Sequence, residues 1–131
     1  MNPSQLTLQA LRTLRQRQEQ HALQRYGEAI VARQAAFEKL ESIKRQRDQS
    51  LAFLRDEVIR GANDAQVAQA EAYCLSVESL KQECEAEIAS SQGLVDRRWQ
   101  RLVEARRQRE MLDLLADDLG TTCTAATATA C

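Results

Sequence analysis

The residue types that most often carry chemistry are few in this chain and poorly placed for it. The single histidine, His21, stands in the run QEQHALQR without a cysteine or carboxylate cluster beside it, and reads as a solvated helix residue. Cys74 and Cys84 are ten residues apart, Cys123 and Cys131 lie near the C-terminus, and no CxxC pair is present. That spacing does not supply a zinc site. A thiol at Cys74 or Cys84 behaves instead as a small apolar packing residue in a reducing compartment. Glu83, Glu85 and Glu87 alternate around a helix rather than converging, and the sequence holds no glycine-rich phosphate loop. No catalytic, cofactor-binding or metal-binding residues are expected, and no enzyme.

The elements that must carry these residues are helices. Two Phe, two Tyr and one Trp among 131 residues are too few for a layered globular core, and 28% charged residues with one Pro and four Gly suit long helices. Residues Leu23, Tyr26, Ile30, Arg33, Phe37, Leu40, Lys44, Arg47, Leu51, Leu54 and Val58 recur at alternating steps of three and four. A second ladder runs from Val67 through Ala70, Cys74, Val77, Lys81, Cys84, Ile88, Ser91, Val95, Arg98, Leu102, Ala105, Arg109 and Leu112 to Leu119. Two such ladders around one breaker predict an all-α fold, a long two-helix antiparallel coiled-coil hairpin. Ile43, Phe53, Ile59, Leu80, Leu94, Trp99 and Leu115 fall beside or off these ladders.

A single hairpin domain over 1–119 is expected, with helix 1 at about 5–60, a turn at 61–64 and helix 2 at about 64–118. Some 55 residues of helix would span roughly 80 Å. Gly61 suits the left-handed position that closes a helix, Asn63 or Asp64 can cap the next, and Gln66 three residues after Asn63 resembles a capping box. One continuous helix pairing with another chain is the competing topology. The Thr/Ala-rich residues 120–131 read as a short disordered C-terminal tail. Helix register stays open between pairings such as Leu54 with Cys74 and pairings such as Leu54 with Val67.

Charge is segregated along the hairpin. Between Asp56 and Glu87, eight acids stand against Arg60 and Lys81, a local balance of −6. Arg12, Arg15, Arg17 and Arg25 against Glu19 give +3, and Arg97, Arg98, Arg101, Arg106, Arg107 and Arg109 against Glu104 give +5. A hairpin brings those two basic stretches together, away from the acidic turn. An acidic protein surface suits this basic band better than nucleic acid does, since Trp99 is its only aromatic and no groove-reading motif is present. No apolar run approaches the roughly 18 to 20 residues that span a bilayer, and the first residues lack a secretory signal, so a soluble cytoplasmic protein is expected.

This layout resembles a known family. It comprises an Arg-rich opening of helix 1, a Gly-containing turn, Tyr73 with Leu80 seven later, and the closing segment RRWQRLVEARRQREMLDLL. Residues 5 to 119 are similar to the flagellar export protein FliJ and its injectisome counterparts, the YscO-type stalk proteins of type III secretion. The resemblance implies a non-enzymatic, cofactor-free stalk in the centre of a hexameric type III export ATPase. Such a stalk promotes ring assembly, contacts the cytoplasmic ring of the export gate, binds secretion chaperones, and meets the inner-membrane export apparatus through partners only. On that model Arg97, Arg98, Arg101, Arg106, Arg107 and Arg109 face the ATPase, and Tyr73, Val77 and Leu80 face the gate. The resemblance leaves flagellar and injectisome systems open. A generic coiled-coil adaptor, dimerising through Leu80, Leu94 and Leu115, is the alternative.

Overall fold

The computed structural model of the protein describes residues 3–129, with side chains described through Gly120. Helix α1 spans Pro3–Ile59 and helix α2 spans Asp64–Thr129, with no strand among the described residues. This is the expected all-α helical hairpin. The helical backbone of α2 continues past the end expected near 118. The expected disordered tail, with Cys123 and Cys131, falls outside the residues whose side chains are described.

The turn is built from local hydrogen bonds that the sequence encodes. Gly61 has φ +78°, and among the described residues no residue other than glycine has a positive φ. Its N–H donates to the Val58 carbonyl at 3.1 Å while the Ala62 N–H donates to that of Glu57 at 3.0 Å. These two bonds are the Schellman closure, which satisfies carbonyls that α1 would otherwise leave orphaned. Across the turn, the Gln66 N–H donates to Asn63 Oδ1 at 2.9 Å and the Asn63 N–H donates to Gln66 Oε1 at 3.2 Å. That reciprocal pair is the capping box, and the chain reverses as one hairpin rather than continuing as a single helix.

The hairpin comprises two compact units, one of residues 29–95 holding the turn and the other holding both helix ends, up to Glu28 and from Asp96. In the turn unit the core is Ala36, Leu40, Ile43, Val77, Cys84 and Ile88. Ala29, Ser50, Ala70 and Val95 are also buried. The buried positions of α2 follow the predicted ladder, on which Lys81 is half-buried, its ammonium held by Glu78 at 3.4 Å and Glu85 at 3.7 Å.

Helix α1 differs from expectation. Its buried or half-buried positions in the turn unit are Ala29, Ile30, Arg33, Ala36, Leu40, Ile43, Lys44, Gln46, Arg47, Ser50, Leu54 and Glu57. Ile30, Arg33, Leu40, Lys44, Arg47 and Leu54 are shared with the predicted ladder. At the alternate positions the seam lies one residue earlier, so Ala36 is 4% exposed and Phe37 37%. Ile43, read as lying beside or off the seam, belongs to the core, and Leu51 and Val58 lie outside it. The physical reason is side-chain volume: Ala, Ala and Ser at 29, 36 and 50 fill a buried seam between two helices with less crowding than Phe or Leu would.

Register follows from that seam. The Cys74 thiol donates to the Ser50 carbonyl at 3.4 Å, one helical turn before Leu54. The pairing therefore falls between the two registers left open by the sequence. Outside the seam, Lys39 meets Glu87 at 3.5 Å, and Gln46 donates to the Tyr73 hydroxyl at 2.8 Å. In the unit of the helix ends, Leu102 is buried and the rings of Tyr26 and Trp99 lie with centroids 5.3 Å apart at 49°.

Candidate partner-binding surfaces

The six arginines singled out on α2 divide into different environments. Arg109 Nε donates to Glu19 Oε2, and Arg109 Nη1 donates to Asp113 Oδ2 at 3.0 Å. Arg106 Nε reaches Glu19 Oε1 at 3.4 Å, and Arg12 Nε reaches Asp113 Oδ1 at 3.2 Å. The result is a five-residue charged chain, Arg106, Glu19, Arg109, Asp113 and Arg12, that ties α1 to α2. The Arg109 hydrogen bond holds the Glu19 carboxyl below the usual carboxylate range, against the opposing effect of burial. The same bond, followed by that to Asp113, raises Arg109 above its ordinary value. Arg107 is occupied by Glu104 of its own helix at 3.6 Å.

Arg97, Arg98 and Arg101 have no ion-pair partner among the described residues. Arg98 is half-buried on the seam. Burial pulls its guanidinium below the ordinary value, and repulsion from Arg25, Arg101 and Arg97 adds to that, with only Glu28 opposing. Glu28 itself pairs with Arg25 at 3.8 Å. Beside this cluster stands Trp99, half-exposed and backed by Tyr26. An uncompensated set of guanidinium groups around an exposed indole is suited to carboxylates carried on an amphipathic partner surface.

In the turn unit, Tyr73 and Leu80 are exposed as required of contact residues. Val77 is not: it is 0% exposed and sits in the core cluster. A seam position on α2 points it at α1, so its role is packing, and it is removed from the candidate surface. Sequence reasoning placed Phe53 beside the seam without giving it a role. It is exposed and joins Tyr73, Gln46, Glu57, Gln66 and Ala70 around an open groove of about 580 Å³. The available signal was spacing, since Gln46, Phe53, Gln66 and Tyr73 flank the seam on facing sides of the two helices.

His21 is exposed at a shallow hollow lined by Arg15, Gln18, Arg101 and Gln108. Cys84 is buried and Cys74 half-buried, as packing residues. No group of His, Cys, Asp and Glu among the described residues is arranged to hold a metal ion. Among those residues, no helix is long and apolar enough to cross a membrane.

An antiparallel helical hairpin of two long helices, with an arginine cluster in one unit and an open groove beside Phe53 and Tyr73 in the other, defines a coiled-coil protein. The family model described as Flagellar FliJ protein matches residues 4–119. The chain belongs to the flagellar FliJ protein family, and is thereby a component of the flagellar protein export apparatus. Comparison with curated proteins and with solved structures gave no match.

Proposed function

We propose that the protein is a non-enzymatic, cytoplasmic stalk that promotes assembly of the hexameric export ATPase and couples it to the export gate at the inner membrane. The observation that carries this reading is that Arg97, Arg98 and Arg101 make no ion pair among the described residues. The half-buried Arg98 guanidinium, repelled by its arginine neighbours, gains free energy when an acidic partner approaches. Exposed Arg97 and Arg101 beside it are free to pair with the same partner, unlike the ion-paired Arg106, Arg107 and Arg109. The ATPase contact is therefore narrowed from six arginines to Arg97, Arg98 and Arg101, with Trp99 as its apolar centre. The gate contact is assigned to Tyr73 and Leu80, joined by Phe53 and without Val77. Secretion chaperones remain part of the reading as partners of the same protein.

The test is reconstitution with the export ATPase. The full chain should raise ATP turnover by the ATPase, and R97E/R101E should abolish both that stimulation and co-purification while leaving the circular dichroism melt unchanged. Y73A/L80A should leave ATPase binding intact and weaken capture of the gate's cytoplasmic ring. Retention of ATPase binding by a folded R97E/R101E protein would overturn the assignment.

A further inference from the structure

The apolar ladder that the α1 seam does not use leaves a second face without a partner in the turn unit. Phe37, Leu51 and Val58 follow the seam positions Ala36, Ser50 and Glu57 by one residue, and are 37%, 49% and 57% exposed. They recur at seven-residue steps, interrupted once by Lys44, so they form one stripe along the helix. Such a stripe of large side chains is spaced for a third helix.

The facing border of α2 is acidic at the same period. Glu71, Glu78 and Glu85 each follow a seam residue, Ala70, Val77 and Cys84, by one. The contacts Lys39 with Glu87 and Gln46 with Tyr73 join residues that precede seam positions on both helices, and so define one flank of the hairpin. The residues that follow seam positions therefore share the opposite flank. Lys81 supplies one cation to Glu78 and Glu85, Lys44 pairs with Glu41 at 3.6 Å, and Glu71 has no ion pair among the described residues.

We infer that this flank is a docking groove for an amphipathic helix of a partner protein, one whose apolar stripe is bordered by lysine or arginine. Phe37, Leu51 and Val58 take its apolar side chains, and Glu71, Glu78 and Glu85 its basic border, completing a three-helix bundle. A second copy of this chain is a poorer occupant, because its own flank would bring a further glutamate row and only Lys44 as a cation. The groove is separate from Tyr73 and Phe53, which belong to the other flank, and it is independent of the ATPase and gate contacts proposed above.

The test uses the full chain and two monomeric, internally cross-linked helical peptides with the same leucine stripe, one bordered by lysines and one by glutamates. Fluorescence anisotropy should show binding of the lysine peptide that falls at least tenfold in L51S and in E71K/E78K, and at least tenfold weaker binding of the glutamate peptide. F53A on the opposite flank should leave it unchanged. Equal binding of both peptides, or an unaffected L51S whose melt matches the parent, would overturn the inference. So would a homodimer by sedimentation that L51S dissolves, since a second copy would then be the occupant.

Discussion

The Cys74 thiol hydrogen-bonds the Ser50 carbonyl 3.4 Å away, and that contact sets how the two helices pair around the turn. Ser50 is itself buried, its hydroxyl donating to the Arg47 carbonyl at 2.8 Å, so no polar group is left unsatisfied at this layer. A cysteine at position 50 would lie against Cys74. In a background lacking Cys84, Cys123 and Cys131, S50C should oxidise rapidly to an intramolecular disulfide, while L54C should not. Peptide mapping by mass spectrometry distinguishes them, and efficient cross-linking of L54C would reject the register.

The seam through Ala36 rather than Phe37 predicts opposite tolerances at neighbouring positions. A36L inserts a branched side chain at a buried seam position and should cost about 1–3 kcal/mol by overpacking. F37Q exposes nothing that is fully buried and should change stability by less than about 1 kcal/mol. Urea denaturation of both variants would decide it, and the reverse order would restore the ladder through Phe37.

Glu19 should make stability depend on acid pH. Its folded-state pKa lies below the ordinary 4.5, so the ionised form is favoured by folding. The stabilisation is then fully present above that ordinary value and is lost as pH falls through the lowered folded value. Thermal melts of the parent and E19Q should differ at pH 6 to 7 and converge toward pH 3. Reversal of Arg109 in R109E should lower the melting temperature at neutral pH, whereas R97E should not, because only Arg109 is tied into the charged chain with Asp113 and Arg12.

The turn should respond to each of its two devices separately. Gly61 has open space where a Cβ would stand, so G61A is penalised only by its left-handed conformation, by about 1–2 kcal/mol. N63A removes the cap of α2 and should cost about 1 kcal/mol. N63D preserves the acceptor and should be nearly neutral, which a chemical denaturation series would check.

The sequence by itself determined the two helices, the reversal at Gly61 and Asn63, the whole seam of α2 through Leu112, and the opposed charge of the two units. Each is encoded within one helix or one turn, by periodicity, capping chemistry or charge count, and needs no knowledge of the facing helix. Only the tertiary structure decided the seam of α1, because two ladders one residue apart share Tyr26, Arg33, Leu40, Arg47 and Leu54. Hydrophobicity favours Phe37 and Leu51, yet the smaller side chains of Ala36 and Ser50 are the ones the packing buries. The same packing placed Val77 in the core and withdrew it from the candidate surface. It also separated the arginines, since whether a guanidinium is free or neutralised depends on the carboxylate that the other helix brings to it: Glu19 for Arg106 and Arg109, and none for Arg97 and Arg101.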